Sequence, residues 1–144
     1  MPARLFVDTN IWLYALVPDI DDPKHVVAAD LVLGLTRPLI NSQVIREASS
    51  NLLKKTDIAE ARLRAIIQDW YRDCEIHPSN VAQHVLASQL RERFAFSYWD
   101  SLIVAAALDA GCDMLFSEDM QHGQNIDGRL TITNPFVERV WRRF

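Results

Sequence analysis

Short, wholly apolar runs separated by helix-length segments constrain the fold of this chain more than any other feature. Leu5-Phe6-Val7, Leu39-Ile40 and Met114-Leu115-Phe116 are too brief for helices, and their apolar residues are consecutive, not alternating. A strand of that kind must be covered on both faces, which is the situation of a parallel sheet between helical layers. Strands are expected at Arg4–Val7, Leu39–Asn41, Cys74–His77, Met114–Ser117 and Leu130–Thr133. The last carries β-branched Thr131, Ile132 and Thr133, which suit a pleated surface. Helices are expected at Ile11–Val17, Lys24–Leu35, Ser42 to about Lys55, Asp57–Asp73, Ser79–Glu92 and Ser97–Ala110. The fourth has Ile58, Ala61, Ala65 and Ile66 near helical spacing. Gly111 follows the sixth where a left-handed cap is favoured. Asn134-Pro135 would open a closing helix with Phe136, Val137 and Val140 on its apolar face, and Arg139, Arg142 and Arg143 toward its C-terminus. The expected class is α/β, with helices on both faces of a central parallel sheet of about five strands and residues 1–144 in one domain.

Composition narrows the functional classes. No apolar run is long enough to span a membrane, and the N-terminus lacks the apolar core of a signal peptide, so a cytoplasmic location is expected. Cys74 and Cys112 make neither a disulfide framework nor a metal-ligand spacing, and both adjoin expected strands, so they are read as buried thiols. The net charge of −4 is not that of a protein that holds nucleic acid on a large basic surface. It is compatible with a metal-dependent nuclease, because two divalent cations would bring the chain to neutrality just where a phosphate must sit.

Four acidic residues interrupt or close the apolar stretches: Asp8, Glu47, Asp100 and Asp119. Each has an ordinary explanation. Asp8-Thr9-Asn10 is a run of cap-forming residues. Ser97-Tyr98-Trp99-Asp100 has the form of a capping box with an acidic third position. Glu47 adjoins Arg46 on a helix, where most acidic residues are solvated, and Asp119 follows Glu118 in a turn where either could be the functional carboxylate. Jointly the four are more telling. Two fall at strand ends and two are expected in first helical turns, positions that share one edge of a doubly wound sheet. Carboxylates a few ångströms apart repel by several kcal/mol even at an effective dielectric of ~20, so a fold that collects them needs a cation or a shared proton. A set of oxygen donors without cysteine or histidine suits Mg²⁺, or Mn²⁺.

These segments resemble the PIN-domain ribonucleases and, more narrowly, the VapC-type toxins of bacterial type II toxin–antitoxin pairs. The resemblance rests on Phe6-Val7-Asp8-Thr9-Asn10-Ile11, on Gln43-Val44-Ile45-Arg46-Glu47, on Tyr98-Trp99-Asp100-Ser101-Leu102-Ile103-Val104-Ala105-Ala106-Ala107, and on Leu115-Phe116-Ser117-Glu118-Asp119-Met120. The tail from Gln121-His122-Gly123 through Thr133-Asn134-Pro135-Phe136 is similar to one toxin subgroup. No acidic position of the family pattern is missing. The resemblance implies a PIN-like sheet of five parallel strands, use of Mg²⁺ or Mn²⁺, homodimerisation, and inhibition by a small cognate antitoxin.

The implied activity is Mg²⁺-dependent endoribonuclease cleavage of structured RNA, with Asp8, Glu47, Asp100 and Asp119 as catalytic residues. Asp8, Asp100 and Asp119 would hold the metal, Glu47 would complete its surroundings or position water, and Thr9, Asn10 and Ser117 would supply supporting hydrogen bonds. Arg46, Lys54, Lys55, Arg91 and Arg93 are candidate phosphate contacts, though each also reads as an ordinary solvated charge. Trp12, Tyr14, Trp70, Tyr98 and Trp99 are candidates for base stacking, with packing or a dimer contact as the plainer role. His25, His77, His84 and His122 have no ligand spacing, and only His122, just past Asp119, lies near the acidic set. A non-catalytic binding module and a DNA-directed nuclease are the competing readings. A receiver-like phosphotransfer protein fits poorly, because no lysine follows a late strand.

Overall fold

In the computed structural model, residues 2–18 and 22–137 are described. They form six strands and six helices: β1 (Leu5–Val7), α1 (Thr9–Leu16), α2 (Pro23–Gly34), β2 (Leu39–Asn41), α3 (Ser42–Lys55), α4 (Glu60–Asp73), β3 (Glu75–His77), α5 (Val81–Arg93), α6 (Tyr98–Asp109), β4 (Met114–Phe116), β5 (Asn125–Ile126) and β6 (Leu130–Thr133). The sheet order is β3-β2-β1-β4-β6-β5. Five strands pair in parallel, as expected. The two-residue β5 adds an antiparallel edge through a hairpin to β6. Asp127 and Gly128 both have positive φ in that turn, and a strand of two residues is too short to leave an alternation in the sequence.

Every residue of β1, β2 and β4 is buried, so the middle of the sheet is covered on both faces. The core joins Phe6, Ile40, Leu115 and Ile132 of the sheet to Ile11, Leu31, Leu90 and Ile103 of the helices. Complete burial of one such side chain contributes about 1.5–3 kcal/mol. Cys74 and Cys112 are buried and free, and burial pushes both thiols up to about 12. Gly111 has φ +71°, the left-handed conformation expected after α6.

Two expectations need correction. The fourth helix begins at Glu60, not Asp57, and the core-facing stripe is Leu63, Ile66 and Trp70, while Ala61 is exposed. Thr56 explains the later start. Its hydroxyl donates to the Leu52 carbonyl and accepts from the Ile58 N–H, which holds the connector extended after α3. Glu47 is the sixth residue of α3, which starts at Ser42 as expected, so it lies in the second turn and not the first. The proposed closing helix, with Val140 and Arg139, Arg142 and Arg143, lies outside the described residues. Its opening is described: Pro135–Val137 form a turn in which the Phe136 N–H donates to Asn134 Oδ1. No helix among the described residues is long and apolar enough to cross a membrane.

Candidate active site

The sheet order reverses between β1 and β4, whose neighbours run outward in opposite directions. Ligands of open α/β sheets bind at the carboxyl ends beside such a reversal. Val7 pairs with Phe116 there, so Asp8 and Ser117 leave adjacent strand ends together. The Asp8 N–H continues the ladder by donating to the Phe116 carbonyl at 3.0 Å.

Asp8 caps α1 and faces the other acids at once. Its Oδ1 accepts from the Thr9 N–H at 2.7 Å, and its Oδ2 accepts from the Ser117 hydroxyl at 2.8 Å. A carboxylate has about four lone-pair sites, so two bonds leave it capacity for a further ligand. Asp100 enters from the first turn of α6, where the Ser97 hydroxyl accepts the Asp100 N–H at 3.1 Å. Asp119 follows β4, and its N–H donates to Ser117 Oγ at 3.3 Å. Ser117 therefore ties the Asp8 side chain to the backbone that carries Asp119. One carboxylate oxygen from each of Asp8, Asp100 and Asp119 lies within 4.8 Å of the other two.

Glu47 reaches the same groove from α3. The groove, about 520 Å³, is lined by Asp8, Glu47, Asp100 and Asp119, and extends along α1 and α3 to Lys55. The Gln43 side-chain amide donates to Glu47 Oε1 at 2.7 Å and to the Trp99 carbonyl at 3.2 Å, which couples α3 to the start of α6. Glu118 is turned away from the cluster. It pairs with Lys24 Nζ at 2.9 Å and accepts from the Tyr14 hydroxyl at 3.1 Å, and Asp119, not Glu118, is the one grouped with Asp8 and Asp100.

The electrostatics follow from burial. Asp8 is 4% exposed, and desolvation pushes its pKa up to about 7 against the lowering effect of the Ser117 and Thr9 hydrogen bonds, with Asp100 and Asp119 adding repulsion. Asp100 is also raised, chiefly by burial and further by Asp119, while Ser97 opposes the rise. A buried acid with two acidic neighbours is a site short of positive charge. Three convergent carboxylates fit a hard divalent cation.

A family pattern described as PIN domain matches residues 5–124. The chain belongs to the PIN-domain family. No curated protein matches it. Among solved structures it is similar to Mycobacterium tuberculosis VapC20, described as a sarcin–ricin-loop-cleaving toxin, with TM-score 0.65 and 18% identity over 80% of this chain and 89% of that one. It is also similar to VapBC2 from Rickettsia felis bound to a fragment of its promoter DNA, with TM-score 0.63 and 16% identity over 90% and 98% of the two chains. A third likeness, to FitAcB from Neisseria gonorrhoeae, has TM-score 0.60 and 11% identity over 92% and 98%.

The remaining candidates of this PIN domain sort by their surroundings. Thr9 is buried beside the cluster, and Asn10 Oδ1 accepts from the Glu118 N–H at 3.5 Å. Trp12 and Trp70 are core residues in an edge-to-face pair 6.0 Å apart, and Tyr14 packs edge-to-face on Phe136. Tyr98 and Trp99 are exposed. Arg93 pairs with Asp127, whereas Arg91 donates to Ser101 Oγ and lies over the Tyr98 ring. His122 Nδ1 accepts from the Asn134 N–H, so it braces the chain leaving β6. His77 pairs with Asp109 and His25 Nδ1 meets the Tyr14 carbonyl. Gln43 went unnoticed in the sequence as a groove residue. It was discoverable from its i,i+4 spacing to Glu47. Lys55, a candidate phosphate contact from the sequence, lines the groove on α3.

Proposed function

We propose that this PIN domain is a divalent-metal-dependent endoribonuclease and acts as the toxin of a type II toxin–antitoxin pair. The observation that carries the chemistry is the convergence of Asp8, Asp100 and Asp119 oxygens within 4.8 Å, on three separate stretches of chain. The family membership supports nuclease activity, and the toxin role draws on the likeness to VapC20 and VapBC2. In this reading residues 1–144 form one domain that works in the cytoplasm as a homodimer.

Asp8, Asp100 and Asp119 would hold Mg²⁺ or Mn²⁺, which lowers the pKa of a coordinated water and offsets negative charge at phosphorus. The chain's own residues do the positioning. The Thr9 N–H and the Ser117 hydroxyl fix both Asp8 oxygens, so the carboxylate need not reorganise on binding. Gln43 holds one Glu47 oxygen, and the other orients the attacking water and takes its proton. A small antitoxin would block the basin with a cationic side chain, for which an arginine fork has the right geometry and charge.

The direct test compares RNA and single-stranded DNA cleavage with Mg²⁺, with Mn²⁺ and with chelator, for the native chain and Asp100→Asn. Metal-dependent RNA cleavage that Asp100→Asn abolishes is expected. Preferential DNA cleavage would replace the substrate class. Absence of saturable Mg²⁺ binding by calorimetry would favour a non-catalytic module. Co-purification with the product of a short adjoining reading frame tests the antitoxin.

A further inference from the structure

A second groove, about 550 Å³, opens on the other side of α3 from the acidic basin. Gln43, Glu47 and Trp99 line both, so the two are continuous around the start of α6. Trp99 also borders a small cleft with Glu47, Ser97, Asp100 and Asp119. The Trp99 residue is 61% exposed, although indole is among the costlier rings to leave in water. Tyr98, 51% exposed, lies perpendicular to it, with ring centres 5.0 Å apart and planes at 89°. Tyr98 is in turn covered by the Arg91 guanidinium, 5.0 Å from its ring centre.

Charge changes along the path. The basin gathers Asp8, Glu47, Asp100 and Asp119, whereas the second groove shares only Glu47 of these and adds Arg46 and His84. Arg46 has no ion-pair partner among the described residues, unlike Arg93, which pairs with Asp127. A nucleic-acid strand has this pattern of needs: a metal at one phosphate, an aromatic face for a base, and a cation for the next phosphate.

We propose that Trp99 is a stacking platform for an unpaired base next to the cleaved phosphate, and that the strand continues along the second groove toward Arg46 and His84. This inference rests on the ribonuclease reading of the same basin. It makes the preferred substrate an RNA whose bases are free at the cut, in a loop or single strand, because a base held in a duplex cannot present its face to the indole.

The experiment measures binding of a short, unstructured, fluorescently labelled RNA in Mg²⁺ to the full chain carrying Glu47→Gln, which keeps the three clustered carboxylates, alone and with Trp99→Phe, Trp99→Leu or Trp99→Ala added. Sedimentation is run on each variant. Stacking predicts roughly tenfold weaker binding for the Leu and Ala variants and less than about threefold for Phe, since an aromatic face is kept. The same RNA annealed to its complement binds more weakly and shows no dependence on residue 99. Arg46→Gln weakens single-strand binding without shifting the sedimentation coefficient. Equal binding by the Leu variant and its parent overturns the proposal, as does equal loss in all three variants. A change of oligomeric state on Trp99→Leu assigns the face to a second copy of the chain and also overturns it. Cleavage by the native protein is scored separately. Stacking behaviour without any cleavage would sink the nuclease reading and leave the platform standing.

Discussion

Asp8 shows how one residue satisfies two descriptions that the sequence left open. It is a helix cap through Oδ1 and a member of the acidic cluster through its placement beside Asp100 and Asp119. Its folded pKa of about 7 lies above the ordinary carboxylate value of 3.8, so the folded chain holds this proton more tightly than the unfolded chain. The Asp8 contribution to metal-free stability is therefore most favourable below about pH 4, falls as pH rises between the two values, and carries the full penalty above about 7. The gap corresponds to roughly 4 kcal/mol, an upper figure for a group this deeply buried. Asp8→Asn removes the charge and keeps an acceptor for Thr9. It should raise the metal-free melting temperature by several degrees at pH 8, leave it nearly unchanged at pH 4, and abolish RNA cleavage. A fall in melting temperature at pH 8 would make the cap, and not the charge, the dominant role. Ser117→Ala tests the brace. Without the hydroxyl the ionised Asp8 loses a donor, so Mg²⁺ affinity by calorimetry should drop about 10- to 100-fold, the range for lost supporting bonds at metal sites.

At the scale of elements, the readable features were those encoded by neighbours in the chain. The central strands β1 and β4 were legible because each is a compact apolar run, and the caps at Asp8 and Ser97 because these residues immediately precede their helices. The two-residue β5 and the late start of α4 were not legible, since the first depends on β6 and the second on a threonine side chain folding back to Leu52. The four acids were found one by one. Their meeting depends on strand order, which no local pattern carries: β1 lies against β4, over a hundred residues away in sequence. The direction of Glu118 was likewise hidden, because its partners Lys24 and Tyr14 come from α2 and α1. Asn41 Oδ1 accepts the Val44 N–H at 3.1 Å and fixes the start of the helix that presents Gln43 and Glu47. Asn41→Ala should cost about 1 kcal/mol in urea unfolding, with an unchanged denaturant slope. It should reduce Mg²⁺ affinity less than Ser117→Ala does, because Asn41 does not touch the three clustered carboxylates.

For the whole molecule, the sign of the net charge sets how substrate is engaged. A chain at −4 repels RNA at long range, so affinity must come from the cation in the basin and from a few local contacts, not from a broad basic face. Several arginines are already committed to neighbouring acids: Arg4 to Glu75, Arg72 to Asp69 and Asp73, and Arg93 to Asp127. Salt dependence reads this out. For single-stranded nucleic acid the slope of log K against log salt is about −0.7 per phosphate neutralised. Contacts to only two or three phosphates then give a slope of roughly −1.5 to −2 at fixed Mg²⁺. A slope steeper than about −4 would require more cations than the two grooves present, and would place the binding surface elsewhere on the chain or on a partner. The same reasoning gives pH a defined effect on metal loading. Ligation needs Asp8 ionised, so Mg²⁺ affinity should fall as pH drops below about 7, by up to tenfold per pH unit, with proton uptake on metal release seen as buffer-dependent heats. Affinity independent of pH between 5.5 and 8 would mean that the cation is held without Asp8.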